Sequence, residues 1–303
     1  MKTINNSYQK INNDEKITLA IGNFDGIHLG HQNIIKKALA FEDTKTAVMT
    51  FYPHPQSVLT NSKRPFLMDN HDKKLNLKKL GVDLFFIVKF DLTFSKLSVD
   101  EFINFLKKIN VKRLIIGKDF RFAHRGRGSY DDLLKHFEVV LMDDLLFRKV
   151  RVSSTYIKSL LDLGNIKLAN TLLTRSYAIH GKIVHGNKVG TTLGYPTANI
   201  DFGNYYLPKT GVYATRIKIN DKIYLSTTSL GHNPTINYSS SKKLESYIID
   251  FDEMVYGKEV TVYFDHYLRD ELKFDKLDDL LLQMKKDVNH TKLLVKNNLN
   301  MIK

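Results

Sequence analysis

The stretch ITLAIGNFDGIHLGH, residues 17–31, decides the fold of the first half of the chain. Ile17, Leu19 and Ile21 alternate with smaller or polar neighbours, which is a strand pattern, and Gly22 and Gly26 break it. Asp25-Gly26 is a turn pair. From Gly30 onward, HQNIIKKALAF places Ile34, Ile35 and Leu39 at helical spacing. The stretch therefore reads strand, sharp turn, helix. A helix opening near Gly30 presents unbonded N–H groups and a positive dipole end, which together suit an anion. His28 and His31 lie three residues apart and can face one pocket. Glycine turn, two imidazoles and helix start together make a candidate phosphate cradle. The plainer alternative is a turn whose histidines only cap a helix.

Outward from this turn, strands and helices alternate. TAVMTFYPHP, residues 46–55, is apolar to Phe51, as in a buried parallel strand, and Pro53 and Pro55 stop it. His54 is open to two readings, near a nucleotide at a strand end or held as a loop constraint. A helix is expected over 71–81 and a buried strand over 84–90. SVDEFINFLKKI, from Ser98, has the spacing of a capping box, with Glu101 three residues on. Strands over 113–117 and 138–142 complete the series. The alternation predicts a parallel, doubly wound sheet. Arg121, Arg125 and Arg127 lie between those last strands, either as phosphate contacts or as an exposed basic loop. Ser153 and Ser154 sit where a strand gives way to the helix TYIKSLLDLG, and their hydroxyls can cap it or hold phosphate.

Beyond about Ser176 the pattern changes. Short alternating runs over 177–184, 211–219, 222–229, 243–251 and 259–267 are separated by turn residues, with Asn220-Asp221 as a tight hairpin. They predict an antiparallel barrel, closed by a helix over 275–299. GTTLGYPTANI, residues 190–200, is the richest stretch here. Thr192, Thr197 and Asn199 offer oxygens of the kind Mg²⁺ takes, and Thr197 and Asn199 point to one side of an extended segment. An ordinary Gly-Pro turn is the alternative. In LESYIIDF, residues 244–251, Glu245 shares a face with Tyr247, Ile249 and Phe251, the more apolar of the two. Burial there would raise its pKa toward that of a general base; a paired core carboxylate is the other reading.

These strings resemble one family. GNFDGIHLGH is similar to the GxFDGxHxGH signature of the HxGH nucleotidyltransferases, and closely to that of bacterial riboflavin kinase/FAD synthetases. FxPHP, GKDFRF (residues 117–122), VSSTYIK (152–158), GTTLGYPTANI, LPKTGVYA (207–214) and SLGHNPT (229–235) resemble further motifs of that family, in its order. Tyr156 and Lys158 stand where its pattern carries arginines, and Ser229 where it carries asparagine. The resemblance implies a Rossmann-like FMN adenylyltransferase domain over 1–175. It implies a riboflavin kinase domain over 176–303, folded as a six-stranded Greek-key barrel. His28 and His31 would be catalytic in the first domain and Glu245 the base of the second. ATP and its phosphates would lie on Gly22, Phe24, Asp25, Gly26, Gly30, Ser153, Ser154 and Thr155, and on Gly186, Gly190, Thr192, Gly194 and Pro196. Flavin would meet Asp119, Phe120 and Tyr213, and Mg²⁺ would sit on Thr197 and Asn199. Riboflavin, FMN and ATP are the implied substrates. Two alternatives stay open: a riboflavin kinase with a degenerate first domain, and a flavin-sensing RNA-binding regulator.

Composition bounds this reading. The 303 residues suffice for two domains. No run approaches the ~20 apolar residues of a membrane span, and the polar start lacks the apolar core of a signal peptide. The absence of cysteine excludes disulfides and thiolate chemistry. The net charge of +14 would attract phosphorylated ligands; its lysines are scattered, which favours a solvated surface over nucleic-acid binding. A cytoplasmic enzyme, monomeric or weakly homo-oligomeric, is expected.

Overall fold

The computed structural model describes residues 1–185, 195–232 and 242–299. Its contacts divide the chain into two compact units, Met1–Ser154 and Thr155–Lys303. In the first, strands β1 (Lys2–Asn6), β2 (Ile17–Ile21), β3 (Lys45–Tyr52), β4 (Leu84–Lys89), β5 (Val111–Gly117) and β6 (Glu138–Met142) form one sheet in the order β1-β4-β3-β2-β5-β6. Every pairing in it is parallel. The intervening helices are α1 (Leu29–Leu39), α2 (Pro55–Thr60), α3 (Asn70–Lys79), α4 (Leu92–Ser95), α5 (Val99–Lys108) and α6 (Tyr130–Leu134). A short hairpin, β7 (Leu146–Phe147) with β8 (Val150–Arg151), follows.

Period-two alternation sends successive strand residues to opposite sides of this sheet. Leu19, Ile21, Met49 and Phe86 enter a core with Phe94, Phe102 and Phe105 of α4 and α5. Ala20, Val48 and Phe85 enter another with Ile35 of α1 and Leu77 of α3. The sheet is thus covered on both faces, as the uninterrupted burial of β2 and β4 requires. The chain runs from β2 outward through β3 and β4, then crosses back to place β5 on the other side of β2. That reversal puts the crevice of an open α/β sheet at the carboxyl end of β2, where residues 22–28 lie.

The opposite end of the sheet is closed by charge. Arg113, 6% exposed, donates from Nε to Glu138 (2.8 Å) and from Nη1 to Asp43 and Thr18 (3.1 Å each). Its guanidinium lies 3.8 Å from the Phe41 ring centroid. Hydrogen bonds from Arg113 and Lys112 hold the Asp43 carboxyl well below the usual carboxylate range.

The second unit opens with α7 (Ser154–Asp162), which begins at the division, and α8 (Ile166–Leu173). Strands β9 (Tyr177–Val184), β10 (Thr197–Asp201), β11 (Gly211–Ile219), β12 (Lys222–His232), β13 (Lys242–Ile248) and β14 (Glu259–Arg269) close into a barrel in the order β10-β13-β12-β11-β14-β9. All its pairings are antiparallel, and the β11-β12-β13 meander brings β13 back beside β10, the strand that precedes the meander in sequence, in Greek-key fashion. Helix α9 (Leu277–Leu299) packs on β11, β12 and β14. Asn170 of α8 donates to the Phe264 carbonyl (2.8 Å) and accepts from the Tyr177 amide (2.7 Å), which ties α8 to the barrel. The contact division therefore precedes α7 and α8, while the change from helical to strand patterning comes after them.

The barrel interior carries a chain of hydroxyls. Thr215 Oγ1 lies 2.7 Å from both Ser226 Oγ and Thr228 Oγ1, and Thr228 Oγ1 lies 2.8 Å from Ser246 Oγ. All four residues are fully buried, and each hydroxyl finds a partner in the others.

Candidate functional site

In the first unit the GNFDGIHLGH turn leaves β2 with Phe24, Gly26 and Ile27 at positive φ (47°, 86° and 40°). A β-branched residue there is strained, and the surroundings hold it: Phe24 and Ile27 are each 1% exposed in the α1–α3 core. The Thr50 hydroxyl donates to the Asn23 carbonyl (3.0 Å), and Gln32 Nε2 donates to the Ile27 carbonyl (2.9 Å). Asp25 turns its carboxylate to the Leu67 amide (2.7 Å). Beneath it Lys73 is buried on α3, one turn before the core residue Leu77, with Asp25 and Asp69 as its nearby charges. Burial pushes the Lys73 ammonium pKa down, and the two carboxylates oppose that shift.

His28 is the N-cap of α1. Its Nδ1 accepts from the His31 amide (3.4 Å), and the two imidazoles stack with centroids 3.6 Å apart and planes 19° from parallel. The capping reading and the co-facial reading of these histidines are therefore both satisfied. Gly30 is where the first unit closes on itself: a Cβ there would lie 3.2 Å from His28 Nδ1 and 3.3 Å from the Val152 carbonyl oxygen. Ser154 Oγ donates to the Asp25 carbonyl (2.7 Å). The structure thus brings the segment of Val152, Ser153 and Ser154 against the HxGH turn.

Other predicted residues fall differently. Phe24 is a core side chain whose ring meets the His31 imidazole edge-on, with centroids 5.2 Å apart. His54 caps α2, with Nδ1 accepting from the Gln56 amide (3.2 Å). Asp119 is exposed and paired with Arg151 (2.7 Å), and Phe120 stacks on Phe122 (5.9 Å) in the loop after β5. Lys158 lies 5.3 Å from the Tyr206 ring centroid, and the Tyr206 hydroxyl donates to Asp162 (2.8 Å). Burial and that carboxylate push the Tyr206 hydroxyl pKa up to about 12.

The second unit places its candidates on the outer face of the barrel. In β13, Leu244, Ser246 and Ile248 are buried inward, while Glu245 and Tyr247 are half-buried on the other side. This corrects the expectation that Glu245 lies on the apolar face. The face holding Tyr247 reads as apolar in isolation, but the interior is set by its neighbours' hydroxyls, which accept Ser246 as a partner. In β10, Ala198 and Ile200 point inward and Thr197 and Asn199 outward. Register joins the candidates: Asn199 pairs with Glu245 across β10–β13, and Ser229 pairs with Glu245 across β12–β13. Thr197 pairs with Tyr247, which meets Tyr195 edge-on at 5.0 Å beside exposed Pro196. Asn199, Glu245 and Ser229 form one lateral row on a face that Thr197 shares.

Tyr213 is corrected too. It is fully buried, its hydroxyl donates to the Lys209 carbonyl, and its ring packs edge-on against Phe264 and Tyr267. It belongs to the core and offers no surface to a flavin. Gly186, Gly190, Thr192 and Gly194 lie outside the described residues. Lys73 escaped the sequence reading, although a lysine in the apolar register of a helix, four residues before Leu77, was its available signal.

Residues 10–156 match the FAD synthetase family and residues 173–295 the riboflavin kinase family. A Listeria monocytogenes protein named bifunctional riboflavin kinase/FMN adenylyltransferase is 38% identical, over 90% of this chain and 91% of its own length. An Escherichia coli protein of the same name is 33% identical, over 90% and 91%. A crystal structure of a Streptococcus pneumoniae protein named macrolide-efflux protein superposes with a TM-score of 0.87 at 32% identity, covering 96% of this chain and 98% of that one. Among the described residues no helix is long and apolar enough to cross a membrane. With both domain families in order along one chain and relatives matched over nearly their whole length, the chain belongs to the bifunctional riboflavin kinase/FMN adenylyltransferase family.

Proposed function

We propose that this chain converts riboflavin to FMN and FMN to FAD, each with one ATP, through a kinase domain over 176–303 and an adenylyltransferase domain over 1–175. The observation that carries the reading is that motifs distant in sequence meet within each unit. Ser154 bonds the turn that bears His28 and His31, and Asn199 stands beside Glu245.

In the kinase step Glu245 takes the proton of the riboflavin 5′-hydroxyl. The freed oxygen attacks the γ-phosphorus of ATP, the bond to the β-phosphate bridging oxygen breaks, and ADP leaves. Thr197 and Asn199 are oxygen donors on one face, which fits a hard cation, and they would hold Mg²⁺. Bound there, the ion supplies neutralisation of phosphate charge. Gly186, Gly190, Thr192, Gly194 and Pro196 are proposed for the nucleotide.

In the adenylyl step an FMN phosphate oxygen attacks the α-phosphorus of ATP and pyrophosphate leaves. His28, His31, Ser153, Ser154, Thr155 and the N–H groups opening α1 hold the triphosphate, and Gly22, Gly26 and Gly30 let backbone approach it. Asp25 serves by its backbone and by anchoring the turn. Phe120 offers a ring for the flavin to stack on. The activity is proposed to be cytoplasmic.

One observation favours a narrower reading, a kinase alone: Lys158 lies over the Tyr206 ring. Incubation with riboflavin, ATP and Mg²⁺, with products separated by chromatography, tests both. FMN followed by FAD is expected. FMN alone supports the narrower reading, and neither product overturns the proposal.

A further inference from the structure

Gly231, on β12, lies two residues beyond Ser229 and pairs with Lys243. Its backbone has no left-handed φ that would call for glycine. What it provides is room. A Cβ on Gly231 would collide with the carboxylate of Glu271, whose Cδ would lie 3.0 Å away and Oε2 3.6 Å. Ser226, Thr228 and Leu230 of β12 are buried inward, so the side that Gly231 leaves open is the outer one, the face of Ser229 and Glu245. Positions diagonal across an antiparallel pair lie about 7–8 Å apart, which sets Glu271 in the neighbourhood of Glu245.

The segment carrying Glu271 is held in place. Arg269, at the end of β14, forms a bidentate pair with buried Asp287 of α9 (Nε–Oδ1 3.0 Å, Nη2–Oδ2 2.6 Å). Arg269 also lies in the same lateral row as the site, through Val212, Ser229, Glu245 and Asn199.

The sides of this row differ in chemistry. On β10 stand Thr197 and Asn199, the proposed metal and phosphate side. On β12 stand Ser229 and, over Gly231, the Glu271 carboxylate. In-line displacement at phosphorus puts the attacking and leaving oxygens on opposite sides. With phosphate toward β10 and the base Glu245 between, the alcohol enters from β12.

We infer that Glu271, seated over Gly231, is a specificity-determining residue that accepts hydrogen bonds from hydroxyls of the substrate's polyol chain. The inference rests on the kinase site proposed above. A carboxylate acceptor suits such a chain, because hydrogen bonds to charged groups are the strong ones and their loss is costly.

The test measures FMN formation by the full-length chain carrying Glu271→Ala, Glu271→Gln or Gly231→Ala, with FMN-to-FAD conversion as a check on integrity. The expected result is a rise of about tenfold in KM for riboflavin, with KM for ATP held within twofold. For a flavin bearing a plain ω-hydroxyalkyl chain, wild type and Glu271→Ala should have equal KM, an equality a merely structural role would not produce. Gly231→Ala displaces only the far end of the Glu271 side chain, so it reports even where Glu271→Ala fails to fold. An unchanged riboflavin KM in the folded variants, or an equal rise for ATP, overturns the inference. Glu245→Gln run alongside separates the two ideas. Retained kcat there refutes the kinase site itself, whereas lost kcat with an unchanged Glu271→Gln refutes only the role of Glu271.

Discussion

The Ser154 hydroxyl donates to the Asp25 carbonyl across 2.7 Å, joining residues 129 positions apart in the chain. The bond holds Ser154 against the HxGH turn. Ser154→Ala removes this hydrogen bond, at a cost of about 0.5–1.5 kcal/mol. FMN-to-FAD conversion should fall by about tenfold, with riboflavin phosphorylation unchanged, when both are followed in one assay.

Gly30 touches both halves of that contact. A methyl group at 30 would press on His28 Nδ1 and the Val152 carbonyl at 3.2–3.3 Å, and neither neighbour is the free end of a flexible chain. Gly30→Ala should therefore part the histidines from the serines by a few tenths of an ångström. The expected outcome is a loss of adenylyl transfer of tenfold or more, with a fall of only a few degrees in Tm.

Glu245 and His28 belong to different units, and their variants should separate the activities. Glu245→Gln should abolish FMN formation and spare FMN-to-FAD conversion, and His28→Ala should do the reverse. Chromatography of the flavins reads both. Loss of both activities in a folded variant would contradict the two-site assignment.

The Arg113 cluster predicts an acid limb to stability. The Asp43 carboxyl titrates lower in the folded chain than in the unfolded one, because Arg113 and Lys112 bond its ionised form. A depressed folded pKa contributes stability above the unfolded value, roughly 3.9, and that contribution is lost as pH falls below it. Arg113→Met should lower Tm at pH 7 and flatten its decline on acidification toward pH 3, as measured by thermal melts.

The parts of the fold legible in sequence were those in which one residue's environment is local. The capping box at Ser98 and Glu101 forms as its spacing predicts, and Asn220-Asp221 closes the β11–β12 hairpin. Strands over 177–184 and 211–219 lie where alternation put them. Strand β1 was not legible: KTINN pairs at the sheet edge through main-chain bonds and needs no apolar alternation. The face of Glu245 was misread because Ser246 is satisfied inside the barrel by Thr228, a partner on another strand. In the candidate sites, the HxGH and serine motifs could be named from sequence, but their meeting depends on Gly30 and Asp25. Glu271 left no local trace at all; a glycine inside β12 was the only hint of a close approach.

The hydroxyl chain of Thr215, Ser226, Thr228 and Ser246 has a consequence for descent. Thr215 Oγ1 also donates to the Ser226 carbonyl (2.8 Å), while Ser226 Oγ and Ser246 Oγ end the chain. Replacing Thr215 or Thr228 by an apolar isostere therefore takes from Ser226 or Ser246 its bond within the chain in a dry interior, whereas replacing the set together does not. Lineages should therefore inherit these four positions as one character, exchanged jointly or kept intact.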